Sequence, residues 1–362
     1  MLKVESVSAY PIRIRAREHL RGGTFSYPDF QTVLVKVVAD GTEGWGEAMT
    51  RFDPEATALL VRYLAKSVKG ETFATPKDAW STCWRDLRVR GHTRGTDVEA
   101  LSGIEIALYD CLGKVKRRPL GRLFSSKTVP RVPAFAGSLF ETRGPLSGQV
   151  DRARSAALIG AKVKIGFGVE KDLKLLKEVR KHWPEGMLVA DANGAYDSSG
   201  AVRACGAFSD LGLAWFEEPV PSDDFEGYSS LRGQGMKIGA GESWFAGDFD
   251  APIEQGIIDV LEPSVSRCGG IGVEVEAAKA AAAKGIRFSP MTGMNSVVSL
   301  AASLHAASAV ESLGVEYNPF TNPLQSEVAA GVPEPDGGSV EVPKGYGLGI
   351  EVDERFVRSH SS

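Results

Sequence analysis

Histidine and cysteine are scarce in this chain, at five and four of 362 residues. The cysteines, Cys83, Cys111, Cys205 and Cys268, lie far apart and form no CxxC pair. Neither a zinc ribbon nor a dithiol redox motif is indicated, and the thiols read as reduced. No run reaches the roughly 18 apolar residues that a membrane helix needs. The opening Met-Leu-Lys-Val-Glu-Ser-Val alternates like a strand and lacks the apolar centre of a signal peptide. A cytoplasmic protein is therefore expected. Charge of one sign is not in excess either: 42 Lys and Arg against 46 Asp and Glu leave a net charge of −4. That balance argues against nucleic acid or a membrane surface as partner. The phosphate-loop pattern GxxxxGK[ST], the zinc-protease pattern HExxH and the nucleophile-elbow pattern GxSxG are all missing.

What is present is a large apolar fraction, 43%, over a length suited to a barrel plus a smaller partner. Residues 1 to about 15 alternate as a strand. The polar stretch from Arg15 to Thr24 reads as a mobile loop. A strand over 31–38, an Asp40-Gly41 turn and the returning Gly44-Trp45-Gly46-Glu47 follow, and residues 54–123 are mostly helical. From about residue 129 short apolar strands alternate with helices, eight strands spaced by about 22 to 30 residues. One helix spans 172–183, and another spans 273–284 and stops at Gly285. The expected fold is α/β: a (β/α)8-type barrel over 126–322, with an α+β capping domain built from residues 1–125 and the returning tail 323–362.

Three of these apolar runs end in acids, Asp191, Glu217 and Glu242, which lie 26 and 25 residues apart, and Lys164 lies 27 residues before Asp191. Carboxylates at successive strand ends meet on one rim of a parallel barrel, where they repel unless a cation sits between them. All-oxygen ligands favour a hard ion, and Mg2+ is the expected one. A lone acid at a strand end is otherwise a helix cap or a surface charge. Asn193 shares the face of Asp191 and is a second-layer or substrate-binding candidate, whereas Glu218 should point away from Glu217. Lys162 and Lys164 share one strand face. It is either a solvated face or, inside a barrel, a pair in which one amine has a lowered pKa and serves as general base. His305 lies in an apolar helix and reads as packed, and His182 and His360 read as surface residues. His19, with Arg17, Arg21 and Tyr27, forms either a lid over an anionic substrate or a plain solvated loop. Arg15, Arg17 and Arg21 hint at a second substrate carboxylate.

The series Lys162-Val-Lys164-Ile-Gly, Val-Ala-Asp191-Ala-Asn193, Trp-Phe-Glu217-Glu-Pro219, Gly241-Glu242-Ser-Trp and Ser266-Arg-Cys-Gly269-Gly270 resembles the enolase superfamily, in its mandelate racemase/muconate lactonizing branch. Ser102-Gly-Ile-Glu-Ile-Ala-Leu-Tyr-Asp110 and Pro343-Lys-Gly-Tyr-Gly-Leu-Gly-Ile resemble the family's cap and tail, and Gly241-Glu-Ser-Trp-Phe is closer to the mandelate racemase side. The resemblance implies removal of the proton α to a carboxylate, with Mg2+ on Asp191, Glu217 and Glu242. It makes Lys164 the base and Lys162 its electrostatic partner, and it makes Glu316 a hydrogen-bonding partner of the substrate carboxylate. It also implies a small-molecule carboxylate substrate and a homo-oligomer. Two positions depart from the pattern: Ser264 stands where the family has an aspartate or lysine, and Met291 where it has a histidine. Neither side chain moves a proton at neutral pH, so two-base racemisation lacks a partner. The expected reaction is dehydration of a sugar acid or diacid with Lys164 as base. A racemase, epimerase or cycloisomerase, or a non-catalytic ligand-binding barrel, is the alternative.

Overall fold

Six consecutive residues, 32–37, are all buried, although neighbours on a strand point to opposite faces. Two cores claim them. The computed structural model describes residues 1–361, the side chain of His19 excepted. In it the strand Ser26–Ala39 lies between Leu2–Arg21 and Thr42–Ala48 in an antiparallel sheet that the short Thr72–Phe73 completes. Val33, Val35 and Val37 join Leu64, Leu101 and Leu108 in the core of the cap. Leu34 faces the other way, into a core continuous with the barrel.

The helix Thr96–Val115 lies directly on this sheet. Glycine makes that approach possible: a Cβ on Gly46 would stand 2.1 Å from the Gly103 carbonyl oxygen, and one on Gly44 2.2 Å from that of Ala107. The helix Pro54–Val68 begins where Asp53 accepts from the amides of Glu55 (2.9 Å) and Ala56 (3.1 Å), with Pro54 in the first turn where no N–H is required.

The stretch expected as a mobile loop is mostly strand. Leu2–Arg21 runs through it, pairing Arg15 with Asp29 and, after an irregularity, Leu20 with Tyr27. Leu20 is buried and the ladder resumes there after the break, while Arg15, Arg17, Glu18 and Arg21 are exposed. Only the tip turns, and it rests on the barrel: Gly23 N donates to Ile165 O (3.2 Å) and Thr24 Oγ1 to Asn193 O (3.2 Å).

The barrel strands, in chain order, are Arg131–Leu139, Gly160–Lys164, Met187–Asp191, Trp215–Glu217, Ile238–Ala240, Val260–Leu261, Arg287–Phe288 and Val315–Tyr317. The first seven pair in parallel in chain order, and the eighth pairs with the first, so the sheet curls. Between the seventh and eighth the ladder is interrupted, with a single Phe288–Ser312 bridge across the seam. The two helices expected over 172–183 and 273–284 are Val169–His182 and Ile271–Ala283.

Buried acids of the cap hold it on the barrel. Glu47 accepts from Thr32 Oγ1 (2.7 Å), Ser296 N and Oγ (2.9 and 2.6 Å) and Ser299 N (3.0 Å), at the start of the helix Val297–Ala309. Glu105 accepts from Ile271 N (2.9 Å) and Gly272 N (2.8 Å), at the start of Ile271–Ala283. These carboxylates complement the orphan amides and positive ends of two barrel helices. Asp110 takes Leu348 N at 2.8 Å, and His305 Nε2 lies 3.1 Å from Leu348 O, so the tail touches cap and barrel together. His305 is fully buried, and burial lowers its pKa to about 4; it is packed, as its apolar helix implies.

Candidate active site

Parallel register places the charged residues side by side. Lys164 stands opposite Asp191, and Asp191 opposite Glu217, across three neighbouring strands. Lys162 and Lys164, two apart, both turn inward and are buried. Lys162 Nζ lies 2.9 Å from Glu217, 3.4 Å from Asp191 and in direct contact with Glu316. Lys164 Nζ touches the Asp191 carboxylate and donates to Asn193 Oδ1 at 2.9 Å. Asn193 Nδ2 in turn donates to Glu242 Oε1 at 2.9 Å. Glu316 also accepts from Gly293 N at 2.7 Å. The inward-face reading of the lysine pair therefore holds, and Asn193 links the base candidate to the third acid.

The lysines do not titrate as a pair in isolation would. Burial is the largest single effect and works to lower Lys164, but the carboxylates of Asp191, Glu242 and Glu217 together outweigh it and hold the amine up at about 12. Burial likewise opposes Lys162, and Glu217 and Glu316 raise it well above the ordinary lysine range. The expectation of one lowered amine is corrected for this arrangement, because buried carboxylates outnumber the two ammonium groups. Glu242 is lowered to about 2: burial pushes it up, and Lys164 and Lys162 pull it down further. Glu217 is raised by burial and by Asp191.

The expectation that Glu218 points away from Glu217 rests on strand alternation. The strand ends at Glu217, and Glu218 takes a positive φ of 37°, so strand alternation no longer sets its direction. It is buried, and burial with the nearby Glu242 pushes it up to about 8.

No three His, Cys, Asp or Glu side chains among the described residues form a ready metal cage; ammonium groups sit among the acids instead. The donor chemistry still suits a hard divalent ion. Asp191, Glu217 and Glu242 are all buried at one rim, and Glu217 Oε2 has no hydrogen-bond partner.

A cleft at this rim is lined by Lys162, Lys164, Glu242 and Glu316 from the barrel and by Tyr27 and Arg51 from the cap, with Met291 and Met294 beside them. Tyr27 is thus brought to the site. Arg21 is exposed, with its backbone N–H on Thr142 Oγ1 at 3.1 Å, and does not line the cleft. The side chain of His19 lies outside the described residues. Ser264 is fully buried beside Ser266, at 3.4 Å between the hydroxyls, and is not on the cleft wall.

Two charged residues of the site escaped the sequence reading. Glu262 ends the sixth strand inside the barrel, fully buried with Oε2 unpartnered; the Leu-Glu-Pro pattern resembles the other acid-ended strands and could have flagged it. Arg51 follows the third cap strand, and no periodicity or motif marks it.

Sequence models of two domains match the chain: "Mandelate racemase / muconate lactonizing enzyme, N-terminal domain" over residues 18–124 and "Enolase C-terminal domain-like" over 146–356. The chain is 30% identical to a D-galactarolactone cycloisomerase of Agrobacterium fabrum, over 97% of both chains. It is 26% identical to an L-rhamnonate dehydratase of Saccharopolyspora erythraea, over 89% of this chain and 83% of that one. A crystal structure of a racemase from Streptomyces coelicolor with bound magnesium superposes with a TM-score of 0.89 at 26% identity, covering 99% of this chain and 100% of the other.

Proposed function

The chain belongs to the mandelate racemase/muconate lactonizing enzyme family of the enolase superfamily, and from that premise we propose that it removes the proton α to the carboxylate of a sugar acid, with Lys164 as base. The observation that carries this reading is the position of Lys164 Nζ. It stands on the cleft wall, aimed by Asp191 and Asn193, while no second proton-transferring side chain occupies the Ser264 or Met291 position. Asp191, Glu217 and Glu242 would hold Mg2+. When bound, that ion supplies positive charge where the substrate carboxylate gains electron density, and it takes up the carboxylate charge that otherwise keeps Lys164 protonated.

This chain's own groups account for the rest. Lys164 Nζ receives the α-proton. The C–H electron pair forms a double bond to the β-carbon, and the β-hydroxyl leaves on the same face with the C–O pair, taking the proton from the Lys164 ammonium to depart as water, which is dehydration. Lys162 holds Glu316 and Glu217 in place and offsets the charge they bring to the rim. Racemisation needs a second base on the opposite face of the substrate, and at the position where the family has a histidine the cleft is lined by Met291.

A second reading, cycloisomerisation, is favoured by the 30% identity to a cycloisomerase along the full chain. The chemistry supports it as well. A lactone oxygen leaves as a carboxylate, which needs no general acid, and Ser264 and Met291 supply none.

Proton exchange in D2O with Mg2+, followed by NMR over sugar acids, diacids and their lactones, tests the proposal. Exchange or a 2-keto product that disappears in Lys164→Ala supports it and separates the two readings by substrate. Exchange surviving in Lys164→Ala would show that another group is the base. Mg2+ binding without exchange on any compound would favour a non-catalytic binding barrel.

A further inference from the structure

One cation in the cleft is not accounted for by the proton-transfer chemistry. Arg51 lines the cleft from the cap, whereas Lys162, Lys164 and Glu316 line it from the barrel. Its hydrogen-bond partner is the hydroxyl of Tyr27, and its guanidinium lies 5.2 Å from the centre of the Tyr27 ring. Among the described residues no carboxylate forms an ion pair with it; Glu242, Glu99 and Glu218 act on it only at longer range. A guanidinium carries five N–H donors, and among the described residues the Tyr27 hydroxyl is the one acceptor Arg51 has. An unpaired charge in a confined site is costly unless something completes it. The neighbouring arginines are unlike it: Arg15 is exposed and paired with Asp29, and Arg21 is exposed.

A substrate whose reacting carboxylate sits at the barrel rim extends toward the cap, and Arg51 is the group it meets there. The planar guanidinium fork matches a carboxylate. We propose that Arg51, steadied by Tyr27, binds a second carboxylate at the far end of the substrate, so that the preferred substrates are sugar dicarboxylates, open or lactonised, rather than monocarboxylates. This rests on the sugar-acid reading above. It also relocates the second-carboxylate contact from the exposed arginines of the first hairpin to one residue of the cleft.

The test separates binding from chemistry. In the Lys164→Ala protein loaded with Mg2+, calorimetry compares the aldarate and the matched aldonate of galactose, glucose and mannose. For at least one sugar the aldarate should bind roughly 10- to 100-fold tighter, as expected for a charge-assisted pair. Adding Arg51→Gln should erase that preference. Adding Arg51→Lys, which keeps the charge and loses the fork, should retain part of it and guards against misfolding. Equal binding of the two acids, a preference that survives Arg51→Gln, or no binding of any aldarate would overturn the proposal. Deuterium exchange in the otherwise unaltered protein reads the chemistry separately. Exchange with no aldarate preference would reject the subsite alone, and aldarate preference without exchange would reject the reaction alone.

Discussion

Lys164 and Asp191 stand directly opposite one another on adjacent parallel strands, and their ammonium and carboxylate groups touch. The contact is part of why burial does not lower Lys164: desolvation is the largest single effect on the amine, but the attractions of Asp191, Glu242 and Glu217 together exceed it. Whatever frees Lys164 to accept a proton has to act on Asp191 and its neighbouring acids.

The same logic predicts the behaviour of Lys162. In Lys162→Met, Asp191, Glu217 and Glu316 lose the ammonium that lies among them. Breaking a buried ionic cluster on one side costs about 3–5 kcal/mol, and urea unfolding in EDTA should read a loss of that order. Saturating Mg2+ should stabilise the variant more than the unaltered protein, because the ion takes the vacated charge. An equal response to Mg2+ in both would count against Asp191 and Glu217 as ligands.

Glu47 joins cap to barrel through three hydrogen bonds accepted from Ser296 and Ser299, and a fourth from Thr32 fixes it within the cap. Glu47→Ala leaves the amides of Ser296 and Ser299 and the Thr32 hydroxyl without this acceptor in a buried interface. With roughly 1–3 kcal/mol for each unsatisfied buried group, the expected loss is on the order of 3 kcal/mol or more. Guanidinium unfolding followed by tryptophan fluorescence would measure it, and a change below about 1 kcal/mol would contradict the docking role.

Glu105 predicts a pH dependence. Burial raises its pKa from the ordinary 4.5 to about 8, against the pull of the Gly272 and Ile271 amides. A group whose folded pKa is raised stabilises the fold fully below its unfolded value and loses that contribution as pH rises through the folded one. The protein should lose stability from pH 5 to 8, with a slope of at most about 1.4 kcal/mol per pH unit from this group. Glu105→Gln, neutral throughout, should flatten that slope. Urea midpoints at pH 5, 6, 7 and 8 decide it, and an unchanged slope would reject Glu105 as the source.

Two glycine substitutions should move stability in opposite directions. Gly46→Ala drives a methyl into the Gly103 carbonyl at 2.1 Å and should separate the helix Thr96–Val115 from its sheet, with a fall in the thermal midpoint of several degrees or a failure to fold. Gly206 lies in the helix Ser198–Phe208 with open space around it. Gly206→Ala should stabilise by about 0.5–1 kcal/mol. A stabilised Gly46→Ala would show that the strand can shift where the packing says it cannot.

Strand and helix order was legible because it rests on local periodicity. Alternating and 3.6-residue patterns, the Asp53-Pro54 start and the Gly285 stop act within a few residues of themselves. The repeat that delivers Asp191, Glu217 and Glu242 to one rim is a chain-length property of βα units, so the acid cluster could be placed without coordinates. The first hairpin misled because exposed polar alternates on a strand look like a loop until a partner strand is known to run beside them.

What the sequence by itself determined, then, is the order of barrel strands, the shared face of Lys162 and Lys164 and the acids gathered at one rim, since each follows from spacing along the chain. Only the tertiary structure decided that Lys164 is held protonated by Asp191 and the acids around it, that Glu218 is buried once its strand has ended, and that Arg51 enters the cleft from the cap. Charge and pairing depend on distances through space between residues remote in sequence, and no local pattern records those distances.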